Sequence, residues 1–500
     1  MSDSAPGALA AGDAAQRVLA LAEELGLRAQ LPAACEAEAQ DWVSSPGIDE
    51  ASLVDRTDLP FVTIDEVQSK DLDQALFVEQ LDRGWRAWYA IADAAHFVPR
   101  GGALFAEALH RGATYYLPGL VVPMLPRALC EDLVSLNPGV DRRALLFCME
   151  LGSDGRCTSS RIERARIHSR AKLDYDGVQA WLEGRVELPT ELHPSLHALA
   201  SMGEARLAEA ESRDVVQVYR AELEMTVAGA PLRFHARLDP RNDLQRYNEQ
   251  LSLLANIEGA RLLARHASAP HVQAIFRTHE PPAPERLAVL RREISSLVGG
   301  LSGEWRWRRD ESLACYLRRL PAQPLRRAIS RQALRSGGRS GFQTSPGRHH
   351  GVGADAYARF TAPMREMVGV FVHKETWEAL AGRGDADLRL QEQVMEGALR
   401  SKQLQRKIDS SCERLVLDQL FESGGSWPAT VMGLSSSKLH LQLDDPPVDA
   451  KLYLRDWPGA RADGAVLRVE GRAALRVGDS VRVRASGRDE QRDRWRLALF

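Results

Sequence analysis

Hydrophobic residues change their spacing several times along the chain, and each spacing predicts a different kind of element. Residues 13–27 carry apolar side chains at helical spacing, with Asp13 as a candidate N-cap and Gly26 near the end. Three apolar runs then resemble strands: "FVTID" (61–65), "ALFVEQL" (75–81) and "WRAWYAIAD" (85–93), with "DRG" (82–84) as a hairpin turn. The pattern predicts a short helical start followed by a strand meander and mixed sheet.

The middle of the chain returns to helical spacing. Residues 169–184 and 247–267 place apolar side chains on one face and contain no internal proline. The same spacing runs through residues 366–422, so we expect helices to dominate the second half of the main body.

The last part of the chain turns back to short strands. Glycine, serine and proline in "ESGGSWP" (422–428) end the helical pattern, and five short runs follow: "ATVMGL", "KLHLQL", "AVLRVEG", "DSVRVRASG" and "WRLALF". Five strands in so short a segment predict a small, closed or nearly closed barrel of the OB type, a fold that often binds single-stranded nucleic acid. An ordinary structural β module fits the pattern almost as well.

Length and composition narrow the class of protein. A chain of 500 residues is too long for one ordinary core, which predicts two or three domains. The chain start has no cationic segment followed by an apolar one, and no window is long and apolar enough to span a membrane, so we expect a soluble, cytoplasmic protein. Six cysteines without any C-x-x-C pair argue against a zinc ribbon or a disulfide scaffold.

Charge is uneven along the chain. The net charge of −3 does not indicate a nucleic-acid binder, yet residues 306–339 hold ten arginines against only Asp310 and Glu311. This stretch is either a set of solvated helix faces or a stripe that follows a polyphosphate chain. The sequence leaves both interpretations open.

Three aspartates in "TIDEVQSKDLDQAL" (63–76) form the first candidate site. Residues two apart in extended backbone face the same side, so Asp71 and Asp73 converge while Leu72 points into the core, and Asp65 ends the preceding strand. Clustered carboxylates repel one another unless a cation neutralises them, and Mg²⁺ prefers oxygen ligands. The alternative is a solvated polar turn; a calcium loop is excluded by the spacing.

A second segment, 345–377, strengthens the catalytic interpretation. In "TAPMRE", Pro363 is suited to start a helix and to place Arg365 near its beginning, where a guanidinium can clamp a phosphate. A surface salt bridge is the plain alternative. His349, His350 and His373 are interpreted as structural or substrate-positioning rather than metal-binding, since Mg²⁺ prefers oxygen to imidazole.

Four segments taken together resemble a known family. "FVTIDEVQSKDLDQAL", "RGATYYLPGLVVPMLPRALCEDLVSLNPGVDRRAL", "SRAKLDYDGVQAWL" and "HHGVGADAYARFTAPMREM" are similar, in order and over about residues 56–420, to the catalytic domain of the RNB exoribonucleases, RNase II and RNase R. The middle block is the most specific. The resemblance implies an α+β fold with a helical segment at 1–55, a mixed α/β RNB catalytic domain at 56–422 and an OB-type RNA-binding barrel at 425–500.

The resemblance also implies an activity: processive 3′-to-5′ hydrolysis of single-stranded RNA to 5′-nucleoside monophosphates, dependent on Mg²⁺ with Mn²⁺ as a substitute. It makes Asp65, Asp71 and Asp73 the metal-binding carboxylates, with Asp73 and Asp71 catalytic and Asp73 the most sensitive. Arg365 then lies beside the scissile phosphate, and Tyr116 stacks on the 3′-terminal base. Further expected RNA contacts are Asp409, where the family usually has glutamate, together with Tyr357, His350 and Phe276.

Several positions depart from the family pattern. Gln74 stands where the family has a further aspartate; its amide oxygen can ligate Mg²⁺ but carries no charge. Ala362 replaces a hydroxyl residue, and Phe276 is only a weakly registered candidate for the second stacking aromatic. About 55 N-terminal residues cannot encode the two cold-shock barrels common in the family, which predicts a shorter RNA footprint and weaker handling of structured RNA.

The sequence is therefore compatible with two main functions and a third, weaker one. The first is an active exoribonuclease that works on single-stranded RNA as a monomer. The second, motivated by Gln74 and Ala362, is an RNA-binding protein on the same scaffold with weak or lost nuclease activity. A phosphodiesterase for another nucleic acid or a small nucleotide is a third and weaker interpretation.

Overall fold

The fold begins with helices, as the apolar spacing predicted. The computed structural model describes residues 14–216, 222–463, 466–470 and 473–500. Helices α1 (Ala14–Glu24) and α2 (Ala33–Ser44) come first, and α1 buries Val18, Leu21 and Ala22 on one face. The expected N-cap, Asp13, lies outside the described residues.

A closed barrel forms the centre of the main body. The elements of residues 54–174, from which the barrel is built, are β1 (Val54–Asp65), β2 (Gln74–Leu81), β3 (Gly84–Ala92), α3 (Ala94–Phe97), α4 (Ala103–Arg111), β4 (Tyr115–Leu117), β5 (Leu120–Val122), β6 (Asp141–Leu151) and β7 (Cys157–Asp174). The barrel order is β1-β2-β3-β6-β7, and the parallel pairing of β1 with β7 closes it. The predicted meander is confirmed, because β1, β2 and β3 are antiparallel neighbours and β2 turns into β3 at 82–83.

Helices and short hairpins surround this barrel. In chain order they are α5 (Tyr175–Leu182), α6 (His193–Ser212), β8 (Glu222–Ala228), β9 (Arg233–Asp239), α7 (Asp243–His266), β10 (Phe276–His279), α8 (Pro284–Val298), α9 (Leu313–Arg319), α10 (Pro324–Ser336), β11 (Ser340–Gln343), α11 (Met367–Ala381) and α12 (Leu388–Glu422). The helical pattern at 247–267 and 366–422 is confirmed.

Two local predictions were wrong. The run at 169–184 is not one helix: its first six residues end strand β7, and the helix starts after Asp174, whose carboxylate caps it by accepting from Gly177 N at 2.7 Å. Pro363 does not start a helix either. It lies in a turn, and α11 begins at Met367, so Arg365 precedes the helix. Both errors arise because ladder pairing and loop contacts override local helical spacing.

One central helix is unusual in what it buries. The N-terminus of α7 is fixed by a reciprocal capping box between Asn242 and Gln245. Its buried face carries leucines together with the polar side chains of Asn248, Asn256 and Glu258. Buried amides and carboxylates require partners, so this helix face marks a polar region inside the fold.

The C-terminal part is a small β domain. Its strands are β12 (Trp427–Leu434), β13 (Lys438–Leu443), β14 (Asp449–Tyr453), β15 (Ala460–Asp463), β16 (Val466–Val469), β17 (Leu475–Arg476), β18 (Ser480–Asp489) and β19 (Arg494–Leu499). Five of them form an antiparallel sheet in the order β14-β13-β12-β18-β19. The edge strands approach each other where the Arg494 guanidinium lies 4.1 Å from the Tyr453 ring centroid. The arrangement is consistent with an OB-type domain.

The sequence misassigned one strand of this domain. "AVLRVEG" contributes β16 to a separate three-stranded sheet, and the fifth strand of the main sheet is "DAKLY" (449–453), which was not predicted. Overall the fold is α+β. Within the described part of the chain, no helix has the length and apolar character needed to cross a bilayer, and the six cysteines form no disulfide.

Candidate active site

The loop between β1 and β2 presents the predicted carboxylates. Ser135 fixes this loop: its hydroxyl accepts from Leu72 N at 2.9 Å and donates to Lys70 O at 2.7 Å. Leu72 is buried as predicted, and Asp73 beside it is buried as well. The Lys70–Leu72 end of the loop is thus attached to the fold, whereas Glu66, Val67 and Gln68 at its start are exposed.

Asp73 and Arg365 form the central ion pair of the site. Asp73 is buried; its Oδ2 accepts from Arg365 Nε at 2.6 Å and its Oδ1 accepts from Met364 N at 3.2 Å. Burial raises the pKa of Asp73 to about 6, against the lowering effect of Arg365. The pKa of Arg365 is raised, chiefly by the Asp73 charge, so the guanidinium is a permanent cation here.

The two other aspartates extend the negative charge outward. Burial raises the pKa of Asp71, and Asp65 raises it further while Arg365 lowers it. Asp65 ends β1, and its Oδ1 accepts from the Ser69 hydroxyl at 2.8 Å and from Glu66 N at 2.7 Å. The structure thus places Asp71 within electrostatic range of Asp65.

Gln74 is held by protein groups at both ends of its amide. Its Oε1 accepts from the Tyr89 hydroxyl at 2.5 Å, and its Nε2 donates to the Thr361 carbonyl oxygen. Tyr89 is fully buried, and burial raises its pKa. Gln74, at the position where the resemblance implies a further aspartate, is thus a neutral group with two hydrogen bonds.

The carboxylates of this loop have the donor atoms that suit a divalent cation, but they are not arranged around one point. Like-charged carboxylates with raised pKa values are the donors that a hard cation favours. However, no three His, Cys, Asp or Glu side chains among the described residues are grouped to hold one ion. The reason is visible in the contacts, since Asp73 faces Met364 and Arg365 while Asp65 faces Ser69.

Tyr116 lies beside the ion pair with an exposed ring. The residue is 44% exposed, and partial burial raises its pKa, which Arg365 lowers and Asp71 and Asp73 raise further. An exposed aromatic side chain next to a cation suits stacking on a base. Tyr115, its neighbour, is buried and donates to Arg111 O, so the two tyrosines divide between core and site.

Asp409 acts on this region through another residue. The Gln405 side chain makes two hydrogen bonds to the backbone of Tyr116: it accepts from Tyr116 N at 3.4 Å and donates to Tyr116 O at 3.3 Å. The Gln405 Nε2 also donates to Asp409 Oδ1 at 2.8 Å. Asp409 is exposed at the edge of the site, and sequence reasoning had missed Gln405 between the two.

The remaining predicted RNA contacts differ in their positions. Tyr357 is mostly buried beside the site, where its hydroxyl accepts from Asn256 Nδ2 at 3.2 Å. His350 is half-buried next to His279, and burial lowers its pKa. The proposal for Phe276 was wrong: the side chain is fully buried in the main core, so no face of its ring is available to a base.

A cavity of about 330 Å³ opens next to Gln74 and Tyr357. Tyr175 lines it, and burial raises its pKa to about 12 while its hydroxyl accepts from Asn248 Nδ2 at 2.8 Å. The Asn248 Oδ1 is buried without a partner among the described residues. Sequence reasoning missed Tyr175, Asn248 and Asn256; polar residues at buried positions of a helical pattern were the available signal.

A larger groove of about 1100 Å³ lies between α10, α12 and the C-terminal domain. The arginine-rich stretch contributes to it in two different ways. Arg327 and Arg331 are bound to Asp444 and Asp449 of the C-terminal domain, whereas Arg335 is exposed and makes no ion pair with the described residues. Some arginines of this stretch thus join the domains and others face solvent, and the interpretation as a stripe along a polyphosphate chain stays a prediction.

These observations define a class: an α+β protein in which loop carboxylates next to a closed barrel, an arginine from a distant loop and an exposed tyrosine lie close together. Residues 54–382 match the RNB domain, and the chain belongs to that family.

Individual relatives agree with this assignment. The chain is 33% identical over 333 residues to Ribonuclease R of Vibrio parahaemolyticus, covering 64% of this chain and 38% of the relative. It is 28% identical over 483 residues to Ribonuclease R of Escherichia coli, covering 88% and 57% respectively. The chain therefore spans only part of the length of these relatives.

The fold also matches a solved structure, that of Mycoplasma genitalium RNase R in complex with ribose methylated single-stranded RNA. The TM-score is 0.84 at 23% sequence identity, over 98% of this chain and 78% of that chain.

Proposed function

We propose that this protein is a processive 3′-to-5′ exoribonuclease that hydrolyses single-stranded RNA to 5′-nucleoside monophosphates and requires Mg²⁺. The observation that carries the proposal is the ion pair between the buried Asp73 and the partly exposed Arg365, whose guanidinium also lies close to the exposed Tyr116. Carboxylate, cation and stacking surface are the three groups that hydrolysis of a terminal phosphodiester needs in one place.

Each group has a distinct task in this reaction. Tyr116 stacks on the 3′-terminal base and sets the position of the last phosphodiester, with Gln405 holding its backbone. Arg365, oriented by Asp73, neutralises the charge that develops on the scissile phosphate. The stacking contact tolerates any base, which suits an enzyme that must degrade RNA of any sequence.

The oxygen donors of the loop carboxylates, rather than a preformed cluster among the described residues, are what favours Mg²⁺. Asp65, Asp71 and Asp73 are the residues that would hold Mg²⁺, which supplies an activated water and charge neutralisation when bound. Mn²⁺ fits the same oxygen donors. Burial keeps the pKa values of Asp71 and Asp73 raised without a cation, so both carboxylates gain from having one nearby.

A labelled RNA tests this proposal. We expect the protein to shorten 5′-labelled single-stranded RNA stepwise in Mg²⁺, and we expect EDTA or Asp73→Asn to abolish shortening. Asp82→Asn, an exposed aspartate in the β2–β3 turn, is the matched control and should retain full activity. A wild-type protein that leaves RNA intact at several Mg²⁺ and Mn²⁺ concentrations would contradict the proposal.

One observation favours a second function, that of an RNA-binding protein with weak or lost nuclease activity. Both oxygens of Asp73 and both ends of the Gln74 amide are occupied by protein groups. If that arrangement persists when RNA binds, the site retains affinity without hydrolysis. In the same assay, this function gives an RNA complex on native gels and no shortening.

A further inference from the structure

Gln74 connects the barrel to the loop that carries Arg365. We propose that Gln74 is a positioning residue, which is oriented by the Tyr89 hydroxyl and holds the segment 361–365 through its bond to the Thr361 carbonyl, and that it does not serve as a metal ligand. This inference rests on the proposed function, because its importance lies in aligning Arg365 for the reaction. The two bonds are those to the Tyr89 hydroxyl and to the Thr361 carbonyl.

The geometry places two consecutive residues at the two ends of that segment. Gln74 binds Thr361 at its start, and Asp73 binds Met364 N and Arg365 Nε at its end. Between these ends, Ala362 O accepts from Arg365 N at 3.1 Å, which closes a tight turn. A segment attached at both ends to two consecutive residues at the start of β2 has little freedom to move Arg365 relative to Asp73.

The opposite side of the segment is held by helix α7. The Thr361 hydroxyl contacts Ser252 Oγ and Asn256 Nδ2, each at 3.1 Å, and Asn256 Oδ1 accepts from Phe360 N at 2.7 Å. Gln74 supplies the contact from the barrel side. Thr361 is thus the point where barrel and helix both hold the Arg365 loop.

The chemistry of this position requires an amide. The Tyr89 hydroxyl donates to the Gln74 side chain, and the Thr361 carbonyl oxygen accepts from it. The side chain at position 74 must therefore carry both an acceptor and a donor. A carboxylate in the same place satisfies Tyr89 but faces the carbonyl oxygen of Thr361 with like partial charge. Aspartate is also one methylene shorter, so it cannot bridge the same gap.

The positioning role and a ligand role predict opposite signs for the same substitution. If Gln74 were a weak metal ligand, Gln74→Asp would restore a charge, tighten Mn²⁺ binding and raise kcat. If Gln74 positions the loop, Gln74→Asp and Gln74→Glu both lose the donor to Thr361 and lower kcat by about tenfold or more, with KM within about twofold.

The experiment combines kinetics with a measurement that does not need activity. Hydrogen exchange of residues 361–366 reports on the loop directly, because the amides of Met364 and Arg365 are bonded to Asp73 and Ala362. We expect Gln74→Glu, Gln74→Asp and Tyr89→Phe to accelerate exchange there. Gln68→Glu, an exposed glutamine in the same loop as Asp71, adds the same charge and should change nothing.

Three outcomes decide the matter. Faster exchange at 361–366 in the Gln74 variants, with unchanged melting temperature and with Mn²⁺ binding no tighter than in wild type, supports the positioning role. Unchanged exchange overturns it, as does a Gln74→Asp variant with higher kcat or about tenfold tighter Mn²⁺ binding. If wild type does not shorten RNA, the proposed function fails, and the exchange data still test the role of Gln74.

Discussion

Arg365 donates a hydrogen bond to Asp73 at 2.6 Å although the two residues are 292 positions apart in the chain. The pair joins the loop before β2 to the turn before α11. It places a permanent cation against a carboxylate whose pKa burial has raised. Their relationship defines the site and is the basis of the first prediction.

Arg365→Lys should lower kcat for single-stranded RNA by about 10²- to 10³-fold, since a lysine ammonium cannot reproduce the planar guanidinium geometry between Asp73 and a phosphate. Single-turnover hydrolysis of labelled RNA measures the effect. Arg383→Lys, an exposed arginine beyond α11, is the control and should act like wild type. Wild-type turnover in Arg365→Lys would exclude a catalytic role for the guanidinium.

Tyr116→Ala should weaken single-stranded RNA binding by about 1 to 3 kcal/mol, because the variant removes one base-stacking surface. Tyr116→Phe keeps the ring and should bind within about 0.5 kcal/mol of wild type. Fluorescence anisotropy with labelled RNA in EDTA measures affinity without hydrolysis. Equal affinities for the alanine and phenylalanine variants would show that Tyr116 does not stack.

Arg335→Gln should reduce the salt dependence of RNA binding, lowering the slope of log K against log salt by about 1. Arg335 is exposed in the groove beside the C-terminal domain. Arg331→Gln is the matched variant one helical turn away. Its guanidinium is bound to Asp449, with contacts of 2.7 and 2.5 Å, so it should leave the slope unchanged. Identical slopes for both variants would contradict this division of the arginines.

The stability of the fold should fall as pH is lowered from about 6.5 to about 4, in part because of His373. Burial lowers its pKa to about 4, and its Nε2 donates to Phe360 O at 2.9 Å. An unfolded histidine titrates near 6.5, so the unfolded chain binds the extra proton within this window and the folded chain does not. The difference corresponds to about 3 kcal/mol.

His373→Gln retains a donor for Phe360 O but does not titrate. Denaturant unfolding across pH 4 to 8 should therefore give a flatter pH dependence for the variant than for wild type. Other groups still titrate, so the comparison is between the two slopes. Parallel curves for both proteins would mean that His373 does not carry this part of the pH dependence.

The sequence by itself determined the elements that depend on local patterns. Apolar spacing and turn residues predicted the early helix, the three-stranded meander and the long helices of the second half. Buried side chains recur every 2 residues in a strand and every 3.6 in a helix, so the order of apolar residues is enough to predict these elements. The spacing of Asp71, Leu72 and Asp73 likewise predicted that Leu72 is buried, which the structure confirms.

Only the tertiary structure decided what those groups touch. Whether Arg365 reaches Asp73, whether Gln74 faces a carbonyl, and whether Phe276 is exposed all depend on segments far apart in sequence that are brought together by barrel closure and helix packing. The same holds for Arg331 and Arg335, which have similar local sequence surroundings but different partners. Local patterns fix which face of an element is buried, while the groups that meet that face come from elsewhere in the chain.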